Sequence, residues 1–171
     1  MKPGPLQRLD ALVRHLVPLA STLGLMLLTI APNRIPGAAA VMPMLGWMAV
    51  FYWAVFRPDL LRSWMAFLAG VLSDALAGLP MGVSALALLI LHGVASSQRR
   101  FFLGNTFVVA WWGFAMLAAG VSLLVAGLAF VVDGRHAPRD TLALQYVLTV
   151  LLYPPVAWTL ARSQVALLRQ R

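Results

Sequence analysis

The fold of this chain is decided by residues 67–82, which read FLAGVLSDALAGLPMG. They lie within the apolar stretch 63–98, which as a single helix would extend about 54 Å, far beyond the roughly 30 Å apolar core of a bilayer. Gly78 can end a helix, Pro80 suits the first turn of the next one, and Gly82 adds a second flexible position. We therefore predict a tight helical hairpin at this point.

The composition of the whole chain places this hairpin in a membrane. Of 171 residues, 61% are hydrophobic and 11% are charged, and no cysteine is present. A soluble domain carries about a quarter charged residues, so this chain cannot cover itself with a water-facing surface. The net charge of +8 comes from basic residues scattered between apolar runs, which indicates membrane orientation and not nucleic-acid binding.

We predict an all-α integral membrane protein in which residues 1–171 form one transmembrane domain, a compact bundle of six helices. The stretch 101–132 has no evident turn signal and is interpreted as one long helix. The predicted spans are 15–32, 41–56, 63–78, 80–96, 103–132 and 141–161. A re-entrant hairpin at 63–96 would fit the same pattern, and this alternative stays open.

The basic residues orient the six predicted spans. An even number of spans places both termini on one side, which would carry Lys2, Arg8, Arg14, Arg57, Arg62, Arg99, Arg100, Arg162, Arg169 and Arg171. The other side would carry only Arg34, Arg135 and Arg139. Basic loops stay in the cytoplasm, so we predict that both termini are cytoplasmic and that the protein is multi-pass.

Asp74 is the only acidic residue inside a predicted span. Ala66, Gly70, Asp74 and Gly78 recur at steps of four, so the carboxylate should face another helix and not lipid. One role for Asp74 is to accept the free backbone N–H groups at the start of the next helix. The other is contact with a partner, ion or substrate. The capping role is favoured, and both stay open.

Small residues mark candidate seams for helix docking, because close backbone approach is what holds helices together in lipid. The fifth span carries a glycine every seven residues. The first and third spans carry shorter series of small residues at steps of four. Internal packing is favoured over a partner interface, although the same seams would also allow a homodimer. The candidate seam residues are Ala20, Gly24, Ala66, Gly113, Gly120 and Gly127.

Trp53 and Trp64 flank the basic loop that contains Arg57 and Arg62. Tryptophan is enriched where a membrane meets water. We expect both indole rings at that interface.

The patterns that carry chemistry are missing from the sequence. No Glu occurs, so no His-Glu-x-x-His site exists, and neither a nucleophile elbow nor a phosphate-binding glycine loop is present. His92 is interpreted as a hydrogen-bonded packing residue. We predict no catalytic, cofactor-binding or metal-binding residue, and we do not expect an enzyme.

A series of motif residues runs through residues 43–100. It begins with Pro43 and with Phe51-Tyr52-Trp53 in the second predicted span. Its more specific part is the loop and hairpin motif, which consists of Arg57, Pro58, Gly70, Asp74, Gly78, Pro80 and Gly82. In this series the chain resembles the rod shape-determining protein MreD family.

This resemblance implies a non-catalytic protein of the bacterial inner membrane that maintains rod shape. Such proteins bind MreC, a single-span protein, and belong with the MreB filament and with the glycosyltransferase and transpeptidase that build lateral peptidoglycan. The family's bundle is thought to resemble the membrane substrate-binding subunits of energy-coupling-factor transporters. A micronutrient transporter subunit is therefore the alternative function.

Overall fold

A computed structural model of the protein describes residues 5–30, 42–78, 80–134 and 138–168. Side chains are described for residues 16–29, 42–78, 80–131, 134 and 138–165. Arg34 and Arg135, two of the three basic residues expected on the outer side, lie outside the described residues.

The described part of the chain is helical and contains no strand. It holds seven helices: α1 Pro5–Ile30, α2 Leu45–Phe56, α3 Ser63–Ala77, α4 Val83–Ser97, α5 Arg99–Leu103, α6 Phe107–Asp133 and α7 Arg139–Leu168. The stretches Phe107–Val131 and Arg139–Val165 are long and apolar enough to cross a bilayer. Shorter apolar helices cover Leu16–Thr29, Leu45–Phe56, Ser63–Ala77 and Val83–Ser97. A helix thus covers most of each predicted span, and the number of membrane crossings stays a prediction.

The interpretation of residues 101–132 as one helix is wrong. The short helix α5 ends at Leu103, and α6 begins at Phe107. Between them, the Asn105 side-chain amide donates to the Phe101 carbonyl at 2.7 Å. Thr106 has an extended backbone, with φ −68° and ψ 158°. An Asn side chain that competes for helical carbonyls, next to Gly104, provides the turn signal that the hydrophobic run concealed.

Helix α2 forms the centre of the fold. Every residue from Gly46 to Val55 is buried, which fits a helix that is apolar all round. Phe51 makes edge-on contacts with three other aromatic rings, those of Phe102, Phe114 and Tyr153, at centroid distances of 5.6, 5.3 and 5.8 Å. The hydrophobic core is therefore centred on α2, and the other helices surround this helix.

The Trp53 indole is enclosed within the bundle and does not face a membrane surface, contrary to the sequence-based expectation. Its side chain is buried, and the indole N–H donates to the Ser21 hydroxyl of α1 at 2.9 Å. An indole on a helix that is enclosed on all sides finds its polar partner in the neighbouring helix. Trp64 is exposed, as expected for an interface position.

Hydrogen bonds between helices fix the relative directions of α2 and α7. Just before α2, the Met44 amide donates to the Thr149 hydroxyl in the first half of α7 at 3.1 Å. Near the end of both helices, the Tyr52 hydroxyl donates to the Gln164 side chain at 3.0 Å. The two helices therefore run parallel, and the ends that follow Tyr52 and Gln164 lie at the same end of the bundle.

The closest backbone approach in the hairpin lies between α3 and α4. A Cβ added to Gly70 would overlap the Cα of Ala85 and lie 2.8 Å from the carbonyl oxygen of Ser84. Because those atoms belong to the backbone, they cannot rotate away as a side chain would. Only glycine at position 70 allows α3 and α4 to pack at this distance.

Gly70→Ala should therefore lower the free energy of unfolding by about 1–3 kcal/mol, because the methyl group forces the two helices apart. Thermal unfolding of the purified protein measures the effect. Gly93→Ala in α4 is the matched control, since nothing lies within 4 Å of the added Cβ. The control should be neutral or stabilising, because Ala is the better helix former. Equal behaviour of the two variants would contradict the close approach.

Candidate functional site: a clamped hairpin and two small-residue seams

The carboxylate of Asp74 joins α3 to the start of α4. It is fully buried and accepts the Gly82 amide at 2.8 Å on Oδ2. It also accepts the Ser84 amide, at 3.0 Å on Oδ1 and 3.2 Å on Oδ2. The side chain thus faces a helix contact, and it makes the hydrogen bonds that a capping role requires. Any further role for Asp74 stays a prediction.

The hydrogen bonds from the amides of Gly82 and Ser84 to Asp74 are called the clamp below. The clamp replaces a local helix cap that the sequence of α4 cannot supply. Residue Gly82 occupies the capping position and has no side chain. The first amides of a helix have no partner within the helix, and leaving them unpaired in an apolar medium costs several kcal/mol each. A carboxylate from the preceding helix satisfies two of them and interacts favourably with the positive end of the α4 dipole.

Two glycines shape the turn that brings the carboxylate into place. Gly78 ends α3 with φ 64°, and Gly82 precedes α4 with φ 105°. L-residues with side chains rarely adopt these conformations. The Pro80 carbonyl accepts the Val83 amide at 3.4 Å and closes the first turn of α4. The motif residues of the hairpin therefore each have a structural role in one turn.

Arg57 and Pro58 form the other part of the motif, at the end of α2. The residue before a proline avoids helical geometry, which explains why α2 ends at Phe56. The Arg57 carbonyl accepts the amides of Leu60 and Leu61 at 3.1 and 3.4 Å. This turn reverses the chain between α2 and α3. Both Arg57 and Pro58 are half-buried.

His92 holds this loop against α4. The ring is buried, and Nε2 lies 2.7 Å from the Leu61 carbonyl, which can only accept a hydrogen. Nε2 therefore carries the proton, and Nδ1 lies 3.4 Å from the Ser63 hydroxyl. His92 is a hydrogen-bonded packing residue, as the sequence predicts.

The candidate seam residues fall into two groups. Ala66 is fully buried, and a Cβ on Gly113 would overlap the Phe102 ring. These two positions serve packing within the chain. The other four have exposed positions, and at their glycines an added Cβ meets no described atom within 4 Å: Ala20, Gly24, Gly120 and Gly127. Small residues thus lie on two outward-facing stretches, one on α1 and one on α6.

The double proline of α7 allows a hydrogen bond between helices that could not be predicted from the sequence. Pro154 has no amide, so the Val150 carbonyl one turn earlier loses its helical donor. The indole N–H of Trp111 in α6 takes that place at 2.8 Å. Four residues further along α6, the Ala115 carbonyl accepts the Tyr146 hydroxyl at 3.0 Å. The proline signal was visible in the sequence, but its partner depends on helix packing.

Tyr153 is fully buried, and its hydroxyl has no hydrogen-bond partner among the described residues. Its ring stacks on Phe114 at a centroid distance of 4.5 Å. The ring therefore contributes packing, while the hydroxyl pays a desolvation cost with no compensating bond.

No group of three or more metal-binding side chains occurs among the described residues. The fold is thus an all-helical one with long apolar helices, and its buried carboxylate is bonded to backbone. Two of its helices are long and apolar enough to cross a membrane, which fits the class of helical membrane proteins. The family model described as rod shape-determining protein MreD matches residues 10–162, nearly the whole chain.

The chain belongs to the MreD family and is a rod shape-determining membrane protein. That family consists of shape-determining structural proteins and is not a known enzyme family. Comparisons with curated proteins and with solved structures find no match.

Asp74→Leu should lose much of the folded protein, because two amides of α4 then lack an acceptor at a cost of about 1–3 kcal/mol each. Asp74→Asn keeps one acceptor oxygen and should retain most of it. The amount of folded protein in isolated membranes and its thermal unfolding temperature report the difference. Wild-type behaviour of both variants would exclude the clamp.

Tyr153→Phe removes a hydroxyl that bonds to nothing, so the free energy of unfolding should stay unchanged or rise. Tyr146→Phe makes the same chemical change where the hydroxyl is bonded and should cost about 0.5–1.5 kcal/mol. Thermal unfolding of the two variants side by side provides the comparison. A larger loss for Tyr153→Phe would show that its hydroxyl has a partner.

Proposed function

We propose that this protein is a non-catalytic scaffold of the inner membrane that binds an MreC-like single-span protein and helps to position lateral peptidoglycan synthesis. Family membership supports the general role in cell shape. The specific role rests on the outward-facing seam of α6, where Gly120 and Gly127 leave the helix backbone accessible. In lipid, such a surface permits the close helix approach that gives dispersion contacts.

The same proposal includes six membrane spans with both termini in the cytoplasm. The parallel course of α2 and α7 puts Arg57 and Arg162 at one end of the bundle. At the opposite end, where α7 begins, the described residues include one basic residue, Arg139. This asymmetry is what the positive-inside rule requires.

The partners proposed beyond the MreC-like protein are the MreB filament and the wall glycosyltransferase and transpeptidase. A scaffold needs surfaces rather than reactive groups. On α6 the side chains of Trp112, Met116 and Leu123 are 66%, 75% and 75% exposed, so this helix presents apolar surface away from the rest of the chain. A helix with that much free apolar surface has room for both lipid and a partner helix.

Leucine substitutions on the seams test this function. Gly120→Leu and Gly24→Leu should reduce co-purification of the MreC-like protein and produce rounded cells, because the side chain keeps a partner helix away. Gly93→Leu is the matched control, since Gly93 is also exposed with open space around it. It should leave rods and co-purification intact. Membrane levels of each variant are measured alongside.

Normal rods and normal co-purification in both seam variants would contradict the proposed docking surfaces. Rods of normal width after depletion of the whole protein would contradict the proposed function itself.

A further inference from the structure

One end of the helix bundle carries five arginines with described side chains: Arg57, Arg62, Arg99, Arg100 and Arg162. The bond between His92 and Leu61 brings the end of α4 to the loop between α2 and α3. The only described carboxylate at this end is Asp59, which is exposed. Within the described part of the chain, none of these guanidinium groups forms an ion pair. The described part of this end is therefore strongly cationic, with five arginines and one carboxylate.

Arg99 differs from the other four because part of its head group is shielded inside the fold. The residue is half-buried, and its Nε is inaccessible to solvent with no acceptor among the described residues. Its position is fixed by α5, in which Phe102 packs on Phe51 and against Gly113. A charged donor that is partly removed from water needs an acceptor, and the chain does not supply one here.

We propose that Arg99, together with Arg100, binds the phosphate of an anionic phospholipid head group. This inference rests on the proposed membrane orientation and goes beyond the scaffold role. The shielded Nε cannot be reached from outside the protein, but the two terminal nitrogens of the guanidinium are not shielded. They can donate hydrogen bonds to the phosphate oxygens of a head group.

The surroundings of Arg99 favour a lipid over a free phosphate or a soluble acidic chain. Phe101, Leu103 and Phe107 follow it closely along the chain and are 58%, 47% and 47% exposed. Such a patch would be unfavourable in water but suits acyl chains next to a head group. Basic residues between helices on the cytoplasmic side recognise anionic lipid head groups by this combination.

Native mass spectrometry of the full-length purified protein tests the inference by measuring lipid retention. The probes are phosphatidylglycerol, phosphatidylcholine, inorganic phosphate and a polyglutamate peptide. Wild-type protein should retain phosphatidylglycerol over phosphatidylcholine, and Arg99→Gln should retain it about fivefold less. Arg139→Gln, an exposed arginine at the opposite end, is the matched control and should behave as wild type.

Arg99→Lys keeps the charge but lacks the planar guanidinium, so its lipid retention should be intermediate. If Arg99→Gln does not fold, Arg99→Lys provides the test. Equal loss in the Arg99 and Arg139 variants would overturn the inference, as would equal retention of the two lipids. Displacement of the lipid by inorganic phosphate or by polyglutamate would also overturn it, in favour of a soluble anion. The measurement involves no protein partner, so its failure is separate from failure of the scaffold role.

Discussion

The structure depends on one constraint, which is that backbone N–H groups need partners where no water is available. The buried carboxylate of Asp74 meets it by accepting the amides of Gly82 and Ser84 across the α3–α4 turn. Because this cap comes from another helix, α3 and α4 are fixed to each other as well as capped. The glycine at position 70 then allows their backbones to touch.

Two backbone carbonyls elsewhere in the described structure follow the same constraint. Proline removes the helical donor of the Val150 carbonyl, and the Trp111 indole replaces it. His92 bonds the Leu61 carbonyl where the chain turns between α2 and α3. The few polar side chains described here thus provide hydrogen-bond partners for backbone groups and orient the helices. In the proposed function, the protein acts on other proteins through its surfaces.

The sequence predicted the hairpin because glycine and proline strongly favour turns. It also predicted that the Asp74 carboxylate faces another helix, because a lone acid is unfavourable in lipid. Sequence did not reveal α5, because its short apolar segment merges with the hydrophobic run of α6. The sequence also could not show that Gly113 is covered while Gly120 is open, because both belong to one series of glycines. Only helix packing shows that the Phe102 ring covers Gly113. The partners of Trp53 and Trp111 were hidden for the same reason, because distant helices supply them.

Amide hydrogen exchange in lipid nanodiscs tests the central claim most directly. If the Asp74 carboxylate holds the start of α4, the amides of Gly82 and Ser84 should exchange slowly, while the amide of exposed Met81 between the helices exchanges fast. Protection at Gly82 and Ser84 should disappear in Asp74→Ala protein that is still folded. Fast exchange at both amides in the wild-type protein would contradict the account.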